Sequence, residues 1–162
     1  MKFRVKHRYI VRARAAARPA HDVQHNFLYR HPVTSTPVPA FDAPDLLGTL
    51  ASLPDPALDD LDFGVIGFDA DGIVRRYNAF ESKAAGLSVS RVVGLDLFNV
   101  VAACMNNYLV AQRFEDAAAE GSTLDDTIDY VLTLRMRPVK VRLRLLAAPG
   151  MPHRYVLVNR AL

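Results

Sequence analysis

From Val139 to Leu146 the chain reads VKVRLRLL, with Val139, Val141, Leu143 and Leu145 alternating against Lys140, Arg142 and Arg144. Successive side chains on a pleated strand point to opposite faces, so this alternation predicts a strand with its apolar face packed and its basic face in water. TIDYVLTLRM (127–136) and HRYVLVNR (153–160) predict two further strands, joined through a turn at Pro138 and through APGMP. Earlier, DFGVIGFDADGIVRRYN (62–78) gives two apolar-rich runs across DADG, whose Asp and Gly tolerate a tight turn, and predicts a hairpin. Between Asn78 and Cys104 the pattern becomes short helical pieces stopped at Gly86 and Gly94. A longer helix is expected over about 107–120, closed by Gly121, with Leu109, Phe114 and Ala117 facing inward. Ahead of the body, DLLGTLASL (45–53) places Leu46, Leu47, Leu50 and Leu53 on one helical face between Pro44 and Pro54, a short helix suited to capping an apolar surface.

Two strands, a helical crossover, a longer helix and three more strands make an α+β order, in which helices gather on one side of an antiparallel sheet. At 162 residues and 51% hydrophobic content the chain suits one core with an appendage. The expected division is a basic arm over 1–31, a linker and cap helix over 32–60, and the body over 61–162. Pro32, Pro37, Pro39 and Pro44 within HPVTSTPVPAFDAPD mark the linker, because they remove backbone donors and favour extended chain.

The net charge of +3 conceals an asymmetry. Residues 1–31 hold eight Lys and Arg against Asp22 alone, whereas the remainder has 12 basic and 16 acidic residues. The arm is read as a solvated extension, or else as an attachment for an anionic partner such as nucleic acid or a membrane surface. It also holds His7, His21, His25 and His31, at spacings too irregular for a metal site. No apolar run reaches the roughly 20 residues of a spanning helix. The basic start is not followed by an apolar signal segment, and a cytoplasmic setting is expected.

Cys104, at the end of LFNVVAAC, is the only cysteine. One cysteine excludes an internal disulfide and a multi-cysteine zinc site, leaving a packed thiol, a nucleophile or an attachment point. For a cysteine enzyme the body offers only His153, beside Pro152, and no convincing base, so no enzymatic activity is expected. In YNAFE, Tyr77 and Glu81 stand four positions apart, a spacing that shares a helical face. The same residues also allow a plain cap, with Asn78 as N-cap and Glu81 reaching back to it.

The element order, with RRYNAFESKAAGLSVSRVVG, resembles a PAS domain, a five-stranded antiparallel sheet with a helical crossover. Taken together, LDDLDFGVIGFDADGIVRRYNAFE, VVGLDLFNVVAAC and LRMRPVKVRLRL resemble the photoactive yellow protein family, from about Phe41 to Leu162. The resemblance implies a blue-light photoreceptor carrying a p-coumaroyl (4-hydroxycinnamoyl) chromophore as a thioester on Cys104. It implies that Tyr77 and Glu81 hydrogen-bond the phenolate oxygen, and that Met136 assists return to the dark isomer. Glu81 must then be protonated until light-driven trans-cis isomerisation lets it pass its proton to the phenolate, and rearrangement of the fold, including the cap, carries the signal to an unidentified partner. A helix starting just after Cys104 is expected to lend it backbone donors and a positive dipole end. Three positions depart from the family pattern: Ala85 replaces the threonine that supports the tyrosine, Leu87 the arginine over the chromophore, and Ala103 the proline before the cysteine. The alternative is a PAS sensor or partner-binding module without pigment, with Cys104 as a small buried hydrophobe.

Overall fold

A computed structural model describes residues 37–133 and 137–160. The basic arm with its four histidines, the first part of the proline-rich linker and Met136 lie outside the described residues. The elements in order are α1 (Leu46–Ser52), α2 (Asp55–Leu58), β1 (Gly64–Phe68), β2 (Val74–Tyr77), α3 (Ala79–Ala85), α4 (Val89–Val92), α5 (Ala111–Glu120), β3 (Leu124–Leu132), β4 (Val139–Ala147) and β5 (Arg154–Asn159). A π-helical turn, Leu97–Val101, and a 3-10 turn, Ala103–Met105, connect α4 to α5.

The strands form one antiparallel sheet in the order β2-β1-β5-β4-β3. Its two faces bury different clusters. The crossover side packs Ile66, Phe68, Val74, Tyr77, Leu97, Phe114, Leu143, Val156 and Val158, and the N-terminal segment covers Val65, Leu146, Tyr155 and Leu157 with Phe41, Leu46, Leu50, Leu58 and Phe63. Every residue of β1 is therefore buried, as in a strand covered on both faces. A register shift at Gly67/Phe68 in the β1–β2 ladder brings Val74 and Tyr77, three residues apart, to the same inner cluster.

Several boundaries follow from local chemistry. The Asn78 side chain accepts from the Glu81 amide and caps α3, while Gly86 closes it in the left-handed region at φ 66°. Gly121 ends α5 in the same way at φ 63°. That helix, however, starts at Ala111 rather than near Asn107, and Leu109 lies outside it, 38% exposed, while Phe114 and Ala117 are buried as expected.

The basic face of β4 is only in part the solvated face that its alternation predicts: Lys140 is exposed, but the two arginines after it meet the N-terminal segment. Arg144 is buried: Nη1 donates to the carbonyls of Phe41 (2.8 Å) and Ala43 (2.9 Å), and Nε and Nη2 grip the Asp125 carboxylate on β3. Arg142 lies 5.2 Å over the Phe41 ring and pairs with Asp42. On β2, Arg76 is buried too, donating Nη1 to the Leu50 carbonyl (2.6 Å) and Tyr155 Oη (3.0 Å), Nη2 to the Leu53 carbonyl (2.5 Å) and Nε to Asp55 (2.7 Å). The Asn78 amide nitrogen donates to the Leu58 and Phe63 carbonyls. Side chains rooted in the sheet thus satisfy carbonyls of the cap that its short helices leave open, and the apolar face of α1 supplies the rest of the seal.

Candidate functional site

Consecutive residues of β2 look in opposite directions. Arg76 meets the cap, whereas Tyr77, 7% exposed, belongs to the cluster on the crossover side. Immediately after it Asn78 starts α3, and the first turn of that helix delivers Glu81, whose side chain is only 2% exposed. Of the two readings of YNAFE the cap is the one partly realised: Asn78 makes it, but the Glu81 carboxylate does not turn back to close it, and Tyr77 ends β2 rather than sharing a helical face with Glu81. Arg160 takes that carboxylate instead, donating Nη1 to Oε2 (2.6 Å) and Nη2 to Oε1 (2.8 Å).

Two features of the sheet explain this pairing. Gly64 on β1 faces Val158 on β5, and Arg160, two residues farther along the chain, emerges on the same side as Val158 toward α3. Gly64 itself carries no side chain, and a Cβ there would overlap Glu81 Oε2 outright and stand 3.0 Å from Cδ. The seat of the Glu81 side chain against β1 therefore depends on glycine at 64. Burial, reinforced by the Glu81 charge, pushes the Tyr77 phenol above its ordinary pKa, and Arg160 acts in the opposite direction. Tyr77 consequently stays a neutral donor across the physiological range.

Cys104 sits in the 3-10 turn, partly buried against the inner cluster that contains Tyr77. Its carbonyl is fixed twice, by Tyr130 Oη (2.5 Å) and by Asn107 Nδ2 (2.8 Å), and Asn107 also donates to Tyr130 Oη (2.7 Å). The turn that presents the thiol is thereby anchored to β3. With α5 beginning only at Ala111, the expected helix start beside the thiol is absent, and these two side chains position the backbone instead. Neither residue was singled out by the sequence pattern, nor was Arg160. The adjoining positions Ala85 and Leu87 are buried and half-buried, and a cleft of about 390 Å³ opens beside Ala85, Leu132, Val139 and Arg160.

The residues present have the chemistry to hold a thiol-linked phenolic group: a half-buried cysteine and a neutral phenol border the same apolar cluster, and a buried carboxyl group follows the phenol at the start of α3. Among the described residues no cluster of His, Cys, Asp and Glu could hold a metal ion, and no helix is long and apolar enough to cross a membrane.

No protein-family model matches the chain. It is 31% identical over 120 residues to a photoactive yellow protein from Rhodothalassium salexigens and 32% identical over 120 residues to one from Halochromatium salexigens, each match covering 74% of this chain and 95% of the relative. Among solved structures, the photoactive yellow protein domain of the sensor histidine kinase Ppr from Rhodospirillum centenum matches with a TM-score of 0.63 and 34% identity, over 69% of this chain and 97% of that domain.

Proposed function

The chain belongs to the photoactive yellow protein family, with its PAS fold, and on that premise we propose that it is a blue-light photoreceptor carrying a p-coumaroyl group as a thioester on Cys104. One observation supports the reading: Tyr77 at the end of β2 and Glu81 in the first turn of α3 are both buried, and the apolar cluster that holds Tyr77 is the one that the lone cysteine borders. The bound group supplies absorption of blue light and a double bond that isomerises from trans to cis. The chain supplies everything else.

Tyr77, held neutral by burial, would donate to the phenolate oxygen, which would be costly to bury without donors. Glu81, in its protonated form, is the second donor on the same side. On isomerisation of the bound group Glu81 would be the residue to give its O–H proton to the phenolate oxygen, keeping the electron pair as a carboxylate. A charge has then appeared beneath α3, next to the strand whose Arg76 grips the cap, and relief of that charge moves the fold. Met136 is proposed to speed the thermal return.

The relative in Rhodospirillum centenum is a domain of a sensor histidine kinase. The partner proposed for this chain is accordingly a signalling protein in the cytoplasm, with residues 1–31 as a charged arm able to meet an anionic surface. To test attachment, full-length protein is incubated with an activated ester of p-coumaric acid, denatured and weighed. One added p-coumaroyl mass and a blue absorption band are expected, both lost in Cys104→Ser. An unmodified wild-type mass refutes the photoreceptor and leaves a pigment-free PAS module.

A further inference from the structure

The carboxylate of Glu81 has a partner that the proton-transfer scheme does not use. Arg160 reaches it with two parallel N–H donors, at 2.6 and 2.8 Å, in the fork geometry that matches guanidinium to an ionised carboxylate. The side chains are 19% and 2% exposed, so water screens this pair little. Its position is set by the frame of the protein: Arg160 follows the last residue of β5, and Oε2 occupies the space that a Cβ at position 64 would take.

We propose that Arg160 is the counter-ion of Glu81 in its deprotonated state, a positioning residue that captures the carboxylate once the proton has left. The inference rests on the proposed role of Glu81 as proton donor. While Glu81 carries its proton, its O–H points to the phenolate and the guanidinium is held by a neutral acid. Transfer of the proton would break that O–H bond and form one on the phenolate oxygen, and the negative charge left on Glu81 would meet an ion pair whose geometry the fold already provides. An uncompensated buried carboxylate would force the fold open; a compensated one lets the charged state persist. Arg160 therefore governs how long the charged state lasts: it holds the carboxylate while the fold rearranges, and it slows the return of the proton to Glu81.

The test separates this role from the pigment. In the unloaded full-length protein at neutral pH, infrared difference spectra against Glu81→Gln are expected to show Glu81 as carboxylate. In Arg160→Gln the protonated-carboxyl stretch of Glu81 should grow in, and Arg160→Lys should restore the carboxylate in part, because an ammonium keeps the charge and loses the fork. In pigment-loaded protein, recovery after a flash is expected to be about tenfold to a hundredfold faster in Arg160→Gln, the effect of losing one charge-assisted hydrogen bond of about 1.5–3 kcal/mol, with recovery in Arg160→Lys between the two. A Glu81 carboxyl band that is the same in wild type and Arg160→Gln, or recovery that Arg160→Gln leaves unchanged or slows, overturns the proposal. Should Arg160→Gln fail to fold, the Arg160→Lys recovery decides: unchanged from wild type, it overturns the proposal. Failure of pigment to attach sinks the photoreceptor and is read by mass, whereas failure of the counter-ion is read in the carboxyl region.

Discussion

Replacing Arg76 by alanine removes four donated hydrogen bonds at once while leaving the inner cluster and its Tyr77 untouched. The cost is worked out by acceptor. Leu50 and Leu53 lose charged donors to carbonyls lying under a cap whose Leu50 side chain is fully buried, and each stranded carbonyl costs about 1–3 kcal/mol. Asp55, with 74% of its side chain exposed, contributes about 0–1 kcal/mol. Tyr155 Oη, in the same buried layer, loses one further partner. A net loss of about 3 kcal/mol follows, limited because the cap can lift and let water reach the carbonyls, and this corresponds to a shift of roughly 10 °C in thermal midpoint for a domain of this size. The predicted outcome is local before it is global. Hydrogen exchange over peptides spanning 46–53 should accelerate about a hundredfold in Arg76→Ala, with smaller changes in β4 and β5, and urea unfolding should report the same loss in free energy. Arg76→Lys should recover less than half, since one ammonium cannot serve acceptors on both sides of the α1–α2 junction. Unchanged exchange over 46–53 together with a free-energy change under about 1 kcal/mol would refute the view that this guanidinium fastens the cap.

Two other substitutions probe the frame around the site. Gly64→Ala places a Cβ on top of Glu81 Oε2, so the carboxylate must leave its fork with Arg160; destabilisation of about 2–4 kcal/mol is expected by calorimetry, and a double-mutant cycle should show the effect largely abolished in a Glu81→Ala background. Asp125 is held below its ordinary pKa chiefly by the hydrogen bond from Arg144, against the opposing effect of burial. A depressed folded-state value means that its stabilisation is complete above the unfolded carboxylate pKa of about 3.9 and is lost as pH falls through the folded value. Thermal midpoints should therefore drop on acidification below about pH 4, and Asp125→Asn, less stable at neutral pH, should show a shallower drop; identical acid limbs would exclude the Arg144 pair as a source of acid sensitivity.

The parts of this protein that neighbours in sequence decide were legible without coordinates. Asn78 caps α3 through a bond three residues long, Gly86 and Gly121 stop helices because the left-handed region suits them, and the alternation of Val141, Leu143 and Leu145 puts them on one buried face. The proposed site residues were singled out just as locally, in YNAFE at the junction of β2 and α3 and in Cys104 at the end of a short apolar run. What escaped is long-range. Whether Arg144 faces water depends on Phe41 and Ala43, more than 100 residues away, whose carbonyls descend on it as part of the cap. Period-two alternation says that a strand has two faces and cannot say that a second layer covers the polar one. Arg160 meets Glu81 across 79 residues through the register of β5 on β1 and the missing side chain at Gly64, and no local pattern encodes that meeting. The turn holding Cys104 likewise takes its anchor from Tyr130 on β3 rather than from the helix that follows it. Local periodicity fixed the elements and the chemistry they carry, while the partners of each buried charge were chosen by packing, because a charge taken out of water must be met by whatever groups the completed fold brings within hydrogen-bond reach.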